Sequence, residues 1–332
     1  MNIKDAYADL YALCQKALGS TSPNPNVAAA IYSADGTFIS DGFHNRLISP
    51  DHAEVVAIKN AGGATHGATI VVSLEPCSHT GTTPPCTQAI IDAGISRVIY
   101  AVKDPNPVAA GGAEVLKSAG IEVEYIHSPE LAFIQRAWLH KITTGFPLMI
   151  WKVATSIDGK VAAQDGSSQW ISNEQSRADV QLLRSQSDAI LVGTKTVLAD
   201  NPHLVPRGYS QRPVRVICGE ESIPSTHNIF DDQARTITIA TRSIPMIMET
   251  LSGGGFNQVL VEAGSTLGSA LLRAGRIDEL IHYQAPILLG SGRDFPGDLG
   301  ITTLAEKMEL ELLSLENFHG DIKSHYAIKR SK

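Results

Sequence analysis

The sequence predicts two α/β domains in series. The chain has 332 residues, which is enough for two domains of ordinary size with separate cores. In both halves, short apolar runs typical of buried strands alternate with segments in which apolar residues recur at helical spacing. This alternation predicts sheets covered by helices. Thr143-Thr-Gly-Phe-Pro147 interrupts the alternation, so we expect one domain over residues 1–145 and a second over residues 146–332.

The first half opens on a helix and continues through alternating strands and helices. Apolar residues three or four positions apart predict the opening helix, and Ala34-Asp35-Gly36 predicts the turn of a hairpin. Glycines mark the ends of the later helices. In chain order the prediction is helix 3–18, strands 27–32 and 37–40, helix 52–60, strand 68–74, helix 86–93, strand 97–102, helix 112–119, strand 121–126 and helix 131–141.

The second half restarts with a strand at residue 148. The apolar run 258–261 leads through Glu262-Ala-Gly-Ser265 into a helix, which is the order of a strand, a tight turn and a crossover helix. In chain order the prediction is strand 148–154, helix 176–185, strands 189–192, 214–218, 236–240 and 258–261, helix 266–274, strand 279–284 and further strands within 309–329.

Composition and charge exclude several classes of protein. With 43% hydrophobic and 18% charged residues, the chain has the composition of a globular protein. A formal net charge of −7 argues against a protein that coats nucleic acid, because such a protein needs a basic face. No apolar run reaches membrane-spanning length, and a polar amphipathic pattern rather than a signal peptide follows Met1. We therefore predict a cytoplasmic protein without a nucleic-acid or membrane partner.

The four cysteines are too few and too scattered for a disulfide framework. Cys14 and Cys218 lie in apolar runs and are predicted to be small core residues. Cys77 and Cys86 belong instead to the strongest chemical signal of the chain, which lies in residues 52–86.

That signal is His52-Ala-Glu54, followed by Pro-Cys77 and then Cys86. One imidazole and two thiolates are suitable ligands for a single Zn²⁺, and three protein ligands leave the fourth tetrahedral position to water. Zinc makes such a water acidic enough to act as a nucleophile near neutral pH. Glu54 can take the proton of this water and pass it to a leaving amine. The pattern is typical of zinc nucleobase deaminases.

The spacing leaves one alternative open. Eight residues rich in turn formers separate Cys77 from Cys86, so we expect a loop between these two ligands. A structural zinc site needs a fourth ligand, which His79 or His44 could supply. Because a structural site has no use for Glu54, we favour a catalytic site with one zinc ion per chain.

Three further segments complete a specific resemblance. Cys77-Ser-His-Thr-Gly-Thr-Thr-Pro-Pro-Cys86 resembles the C-x-H-x-G-x-T-P-P-C signature of the bifunctional riboflavin-biosynthesis deaminase/reductases. Ser22-Pro-Asn-Pro-Asn26 and Asp104-Pro-Asn-Pro107 fit the same family, and the resemblance continues through the second half. The family implies a cytidine-deaminase-like α/β/α sandwich followed by an α/β domain similar to dihydrofolate reductase.

The resemblance also implies two reactions on a small nucleotide. The first domain removes the 2-amino group of a diamino-ribosylamino-pyrimidinone 5′-phosphate by hydrolysis. The second reduces the ribosyl group to ribityl, with NADPH as the hydride donor. The resemblance leaves a homo-oligomer open. A nucleic-acid or free-nucleoside deaminase and a non-catalytic zinc-stabilised binding module are the alternative functions.

The residues of the second half take their predicted roles from the same resemblance. The positions that match cofactor contacts are Ala154, Trp170, Thr196, Asp200, Gly264, Ser265, Thr266, Leu267, Gly268, Ser269 and Ala270. The positions that match substrate contacts are Ser168, Arg184, Leu204, Arg207 and Glu262. Two arginines and a hydroxyl suit a sugar phosphate, because guanidinium groups bind phosphate oxygens in pairs. Taken alone, Arg184 could instead be a solvated helix residue, and Asp200 could begin a turn.

The chain departs from the usual family pattern at three positions. Ala28 follows Val27 where a glycine is usual, Thr82 stands in place of a lysine or arginine, and Ala263 replaces the commoner glycine after Glu262. We expect these departures to affect the efficiency of the deaminase half more than its metal site.

Overall fold

The computed structural model describes residues 1–81 and 83–330, and the chain divides into two compact units, Met1–Gly145 and Phe146–Lys332. Each unit has its own buried apolar core. No helix among the described residues is long and apolar enough to cross a membrane.

A five-stranded mixed sheet organises the first unit. The strand order is β2-β1-β3-β4-β5, with β1 antiparallel to both of its neighbours and β3, β4 and β5 parallel. Helices pack in two groups, in which α1 contacts α5 and α2 contacts α3. The elements are α1 (Ile3–Ala17), β1 (Ala28–Tyr32), β2 (Phe38–Phe43), α2 (Ala53–Ala61), β3 (Thr69–Val72), α3 (Cys86–Asp92), β4 (Arg97–Tyr100), α4 (Gly112–Ser118), β5 (Glu122–Tyr125), α5 (Pro129–Ile134) and α6 (Arg136–Thr144).

One predicted helix of the first unit is two helices. The sequence predicts a single helix over residues 131–141, but α5 ends and α6 begins around Gln135. The Gln135 side chain is buried, and its amide donates a hydrogen bond to the carbonyl oxygen of Ser73 at 3.0 Å. This tertiary contact fixes the break, and nothing in the local apolar pattern predicts it.

An eight-stranded sheet organises the second unit. Its order is β10-β9-β8-β11-β6-β12-β15-β14, parallel from β10 to β12 and antiparallel beyond. A two-stranded ribbon pairs β7 with β13. The elements are β6 (Leu148–Thr155), β7 (Lys160–Ala162), α7 (Glu174–Ser185), β8 (Ala189–Gly193), α8 (Thr194–Asp200), β9 (Val214–Cys218), β10 (Thr236–Ile239), α9 (Ile244–Gly253), β11 (Gln258–Val261), α10 (Ser265–Arg273), β12 (Glu279–Gln284), β13 (Arg293–Asp294), β14 (Leu310–Phe318) and β15 (Asp321–Ile328).

Four short elements of this unit are absent from the sequence prediction: β7, α8, α9 and β13. Helix α8 has seven residues and buries only Thr194 and Val197, so its sequence carries almost no helical periodicity. Helix α9 has clearer signals, because Pro245 stands in its first turn and Ile247, Met248 and Leu251 are buried along one face. The predicted core positions Cys14 and Cys218 are both buried, and burial raises the pKa of each thiol to about 12.

Trp151 joins helix α10 to the sheet. Its side chain is buried, and its indole N–H donates to the carbonyl oxygen of Ala263 at 3.1 Å. Gly268 lies directly against the indole, since a Cβ atom at this position would stand 2.0 Å from the ring atom Cζ2. A residue with a side chain would therefore push α10 away from the sheet.

We predict that Gly268→Ala destabilises the second unit by about 1–3 kcal/mol, the usual range for overpacking a filled core. Thermal unfolding followed by tryptophan fluorescence measures the effect as a lower midpoint. Gly253→Ala is the matched control, because a Cβ there meets nothing within 4 Å and alanine favours the helical backbone. Equal midpoints for the two variants would contradict the close packing of Gly268.

Candidate functional sites

Three metal-binding side chains from three segments meet in the first unit. His52 is the residue immediately before α2, Cys86 is the first residue of α3, and Cys77 lies in the loop that follows β3. Their ligand atoms all lie within 4.8 Å of one another. The Nδ1 atom of His52 stands 3.2 Å from the Sγ of Cys86 and 3.6 Å from the Sγ of Cys77. One imidazole and two thiols form a donor set that fits Zn²⁺.

The surroundings of Cys77 favour its thiolate, which is the form that binds a metal. Hydrogen bonds from the Cys86 thiol and from His52 hold the pKa of the Cys77 thiol well below its usual range. The backbone N–H of Cys86 also donates to the Cys77 sulfur, at 3.4 Å. Because α3 begins at Cys86, this N–H is one of the free donors of a helix start.

Glu54 lies beside this cluster but is not part of it. It is in the first turn of α2, its side chain is 3% exposed, and its carboxyl group is close enough to interact with the Cys86 thiol. Burial raises its pKa above the ordinary range, and the negative charge of Cys77 adds to that effect. A carboxyl group that holds a proton more readily than usual is suited to accept one and then give it up.

The two proposed fourth ligands do not join the three donors. His44 uses both ring nitrogens: Nδ1 lies 2.8 Å from the carbonyl oxygen of Asp51, and Nε2 lies 3.1 Å from the side-chain nitrogen of Asn24. A carbonyl can only accept, so Nδ1 carries the proton and Nε2 is the acceptor. His79 has a buried Nδ1 without a hydrogen-bond partner, yet it is not in the cluster. Among residues 1–81 and 83–330, only three donors come together.

Three side chains surround this cluster: His44, which the sequence analysis considered only as a fourth ligand, and Asn24 and Asp104, to which it assigned no individual role. The His44 ring packs edge-on against the His52 ring, with centroids 5.4 Å apart, and Asn24 holds His44 from the other side. Asp104 follows β4 and is electrostatically coupled to Cys77. Burial raises its pKa to about 6. The signal was present in the sequence, since Asn24 and Asp104 lie in its two Pro-Asn-Pro segments.

Of the three departures from the family pattern, Ala28 and Ala263 are buried and Thr82 lies outside the described residues. Ala28 is on β1, where its backbone N–H donates to the Ser73 hydroxyl at 3.0 Å. Ala263 accepts the indole hydrogen bond of Trp151 through its carbonyl oxygen, which any residue can provide.

The second unit contains a cavity of about 1390 Å³ along the carboxyl ends of its parallel strands. Such crevices are the usual ligand sites of open α/β sheets. Two helices begin at the cavity, α8 after Gly193 and α10 after Gly264, and both glycines line it. Helix starts offer free backbone N–H groups to phosphate oxygens.

The charge of the cavity differs from that of the chain. Arginines and lysines line it along its whole length, including Arg177, Lys195, Arg207, Arg242 and Arg293. The acidic lining residues are Asp200, Glu221 and Glu262. An excess of basic groups in a chain of net charge −7 fits ligands that carry several phosphates. The size, the helix starts and the charge of the cavity therefore fit a dinucleotide and a sugar phosphate.

Most of the predicted contact residues of the second half line this one cavity. They are Ala154, Ser168, Trp170, Arg184, Thr196, Asp200, Leu204, Arg207, Glu262, Gly264, Ser265, Thr266, Leu267 and Ala270. Trp170 is 67% exposed, and the Arg177 guanidinium lies 4.8 Å from its ring centroid. Leu204 is buried with a φ of 51°, a left-handed conformation that non-glycine residues seldom adopt. Asp200 is the last residue of α8 and does not begin a turn.

Gly268 and Ser269 are not among the lining residues, so the structure gives no support to their predicted cofactor contacts. Gly268 faces the Trp151 indole. Ser269 is buried, and its hydroxyl accepts a hydrogen bond from the backbone N–H of Gly297 at 2.9 Å. Both residues lie on the packed face of α10, whereas a run of consecutive positions cannot all face one ligand.

Arg184 and Glu262 form a bidentate ion pair at the cavity wall. The Nε and one Nη atom of Arg184 lie 2.6 and 2.8 Å from the two carboxylate oxygens of Glu262. Both side chains are largely buried, so the reading of Arg184 as a solvated helix residue is wrong. Burial alone raises the pKa of Glu262, but the charge and hydrogen bonds of Arg184 outweigh it and lower the pKa overall.

Lys152 stands next to this pair. It is on β6, lines the cavity, and interacts electrostatically with both Glu262 and Arg184. Its Nζ atom lies 5.9 Å from the ring centroid of the buried Tyr283. Burial lowers the pKa of the Lys152 ammonium group, so this group gives up a proton more easily than a solvated lysine does.

Two family models match the chain. One describes the zinc-binding region of cytidine and deoxycytidylate deaminases and matches residues 2–102. The other describes the RibD C-terminal domain and matches residues 147–324. Together these matches imply Zn²⁺ and NADPH as the cofactors of the chain.

Curated relatives and solved structures match nearly the whole chain. The riboflavin biosynthesis protein RibD of Mycobacterium tuberculosis is 43% identical over 311 residues, which cover 92% of this chain and 91% of that protein. RibD of Escherichia coli is 37% identical and covers 94% of this chain and 96% of its own length.

Two solved structures carry the same fold. One is Acinetobacter baumannii RibD, with a TM-score of 0.89 and 36% identity over 97% of this chain and 98% of that one. The other is a diaminohydroxyphosphoribosylaminopyrimidine deaminase/5-amino-6-(5-phosphoribosylamino)uracil reductase from Thermotoga maritima, with a TM-score of 0.90 and 31% identity over 97% of both chains. The two α/β units, the zinc-type donor set and the phosphate-type cavity agree with these matches. The chain therefore belongs to the family of bifunctional riboflavin-biosynthesis deaminase/reductases.

Proposed function

We propose that residues 1–145 catalyse the deamination and residues 146–332 the reduction of this family. The substrates we assign are those named for the relative from Thermotoga maritima, a diamino-pyrimidinone ribosylamino phosphate and the uracil formed from it. The observation that carries the first assignment is the meeting of His52, Cys77 and Cys86 beside the buried Glu54. The second rests on the basic cavity at the strand ends of the other unit.

In the deaminase site, His52, Cys77 and Cys86 are proposed to hold the zinc ion. When bound, zinc would supply a water of lowered pKa. Glu54 would accept a proton from the attacking water as its oxygen adds to C2 of the pyrimidine ring. Glu54 then returns the proton to the departing 2-amino group, which leaves as ammonia and not as the unstable amide anion. The net reaction consumes one water, releases one ammonia, and replaces the C–N bond at C2 with a C–O bond.

The start of helix α2 positions both the metal-binding imidazole and the proton-transferring carboxyl group of this site. Because His52 is the cap residue and Glu54 is two positions later, the helix start holds the imidazole and the carboxyl group at fixed separation. His44 keeps the His52 ring in place through their edge-on contact, and Asp51 and Asn24 fix the His44 tautomer. The arrangement resembles the ordered outer groups that hold the ligands of other metal sites.

In the reductase site, NADPH would supply, when bound, the hydride that reduces the ribosyl group at C1′. We propose that the lining residues Ala154, Trp170, Thr196, Asp200 and Gly264–Leu267 with Ala270 contact the cofactor. Ser168, Leu204 and Arg207 are proposed to contact the sugar phosphate, and Arg184 and Glu262 to contact the ribosyl group together as an ion pair.

The proton that accompanies the hydride needs a donor at the sugar oxygen. Glu262 is a poor donor because its ion pair with Arg184 keeps it ionised. Lys152 interacts electrostatically with both members of this pair, and the burial of its ammonium group lowers its pKa, so it gives up a proton more readily than a solvated lysine does. We therefore assign the donor role to Lys152, while the Arg184–Glu262 pair holds the ammonium group in position.

The remaining assignments follow from the family and from composition. We propose that the chain acts on small nucleotides, without nucleic-acid or membrane partners, in the cytoplasm. All four cysteines are free thiols, which agrees with a reducing compartment.

We predict one zinc ion per chain in the purified protein, because three donors form one cluster. Elemental analysis measures the stoichiometry. Cys86→Ser should lose most of the metal, since a hydroxyl is a much weaker zinc ligand than a thiolate. Cys14→Ala is the control, because it removes a buried thiol of the same unit outside the cluster. Equal zinc content in the two variants would contradict the ligand set.

Glu54→Gln should reduce deamination by roughly 10²–10⁴-fold, because an amide cannot accept the proton of the water. The variant should retain zinc and the full rate of reduction. Steady-state assays of each half-reaction, together with zinc analysis of the same preparation, measure this separation. A comparable loss of both activities would show that Glu54 supports the fold and not the proton transfer.

Arg207→Ala should raise the KM for the reductase substrate by roughly tenfold, the value of one lost charged hydrogen bond. Deamination and thermal stability should not change, because Arg207 is exposed at the cavity. Arg235→Ala removes an exposed arginine that does not line the cavity and should leave KM unchanged. If both variants keep the parent KM, the phosphate is bound elsewhere.

Arg184→Ala should behave differently from Arg207→Ala. It leaves the Glu262 carboxylate largely buried without its partner, which costs about 3–5 kcal/mol for fully buried pairs and less at this partial exposure. We expect a lower unfolding midpoint together with loss of reduction, and recovery of the midpoint in the double variant Arg184→Met/Glu262→Gln. An unchanged midpoint in Arg184→Ala would argue that the pair is not a structural element of the wall.

A further inference from the structure

One end of the reductase cavity carries an acidic and a basic side chain whose role the preceding assignments do not explain. Glu221 follows β9, Arg242 follows β10, and both line the cavity. The Arg242 Nη2 atom lies 3.0 Å from a carboxylate oxygen of Glu221, and its Nε atom lies 3.3 Å from the carboxylate of Glu220. The hydroxyl group of Thr194, the first residue of α8, donates to the other Glu221 oxygen.

The order of the sheet indicates which part of a dinucleotide reaches this end. From β6 the strands run through β11 and β8 to β9 and β10. The hydride must be delivered beside Lys152 on β6, and the free N–H groups of the α10 start lie at the neighbouring β11. With the nicotinamide at β6 and phosphates at the α10 start, the adenosine half extends toward β9 and β10. At about 4.8 Å per strand, this path is roughly 19 Å long, enough for an extended dinucleotide.

The same two residue types distinguish NAD from NADP in dinucleotide-binding sheets. An acidic residue after a strand accepts hydrogen bonds from the ribose hydroxyls of NAD, and a nearby arginine accommodates the 2′-phosphate of NADP. Here the two are paired with each other. Each Glu221 oxygen has a second lone pair for a ribose hydroxyl, and Arg242 is two-thirds exposed and retains further N–H donors.

The local charge determines how strongly this end can prefer a phosphate. Glu220 and Glu221 are balanced by Arg242 and by Lys195, which also lines the cavity and interacts electrostatically with Glu221, so the four groups together carry no net charge when ionised. A 2′-phosphate that approaches Arg242 therefore also approaches two carboxylates. Glu221 is the less exposed of the two, and its hydrogen bond from Thr194 holds it in place. The attraction of Arg242 for a phosphate is thus partly cancelled.

We propose that Glu221 and Arg242 form the subsite for the adenosine ribose of the cofactor, and that the Glu221 carboxylate lets the chain accept NADH as well as NADPH. Arg242 binds the 2′-phosphate of NADPH, and Glu221 binds the 2′- and 3′-hydroxyls of NADH while opposing the phosphate. The proposal rests on the assignment of this cavity to the dinucleotide.

Direct binding of two adenosine fragments tests the proposal without catalysis. Isothermal titration calorimetry on the full chain compares adenosine 5′-monophosphate with adenosine 2′,5′-bisphosphate, which differ only in the 2′-phosphate. For the parent protein we expect dissociation constants within roughly tenfold of each other. Glu221→Gln should tighten the bisphosphate by roughly fivefold or more and weaken the monophosphate, because one opposing charge and one strong acceptor are lost. Arg242→Gln should weaken the bisphosphate by a similar factor and leave the monophosphate unchanged.

Glu249→Gln is the matched control, since it removes one negative charge on α9 outside the cavity. It should change neither constant, and the KM values for NADH and NADPH in the reductase assay should follow the fragment affinities in all variants. If both fragments bind the parent protein but Glu221→Gln changes both dissociation constants by the same factor, Glu221 does not discriminate between the two cofactors. The assignment of the cavity to the dinucleotide then stands. If neither fragment binds the parent, the cavity is not the dinucleotide site and both assignments fail.

Discussion

Parallel pairing of neighbouring strands is the constraint on which both sites depend. When two strands run in the same direction, their carboxyl ends meet at one edge of the sheet, and the segments that leave them must turn there. In the first unit, β3 and β4 bring Cys77 and Asp104 together in this way. In the second unit, β8 and β11 place the starts of α8 and α10 side by side. Helix starts then provide N–H groups and capping positions at the same edge.

Buried charge is handled differently in the two units. In the first, Cys77, Cys86 and Glu54 lie close together; their mutual interactions lower the pKa of Cys77 and raise the pKa of Cys86, and burial together with these interactions raises the pKa of Glu54. In the second, Arg184 and Glu262 neutralise each other at the cavity wall with two hydrogen bonds. The acidic groups of the first unit favour the binding of a cation. The Arg184–Glu262 pair has no net charge and can hold a neighbouring group in place.

Side chains of the same residue type have different roles in this structure because they contact different groups. Arg184 and Arg207 are both arginines at predicted phosphate positions, but Arg184 is fixed to Glu262 and Arg207 is exposed. His44 and His79 are both possible fourth ligands, yet the hydrogen bonds of His44 to Asp51 and Asn24 occupy both of its ring nitrogens. The burial and the hydrogen bonds of each residue, which depend on distant parts of the chain, decide its chemistry.

The sequence by itself determined the alternation of strands and helices, the family, and the residue types of the metal site. These follow from local signals: apolar periodicity, glycines at helix ends, and the short motif around His52 and Cys77. It could not determine the break at Gln135, because a hydrogen bond to Ser73, 62 positions away, fixes that break.

Nor could the sequence separate Gly268 and Ser269, which pack away from the cavity, from their neighbours on α10 that line it. It also did not pair Glu221 with Arg242, because their contact requires β9 and β10 to lie next to each other in the sheet. Such contacts between distant positions exist only after the strands have paired in one order, and the tertiary structure alone fixes that order.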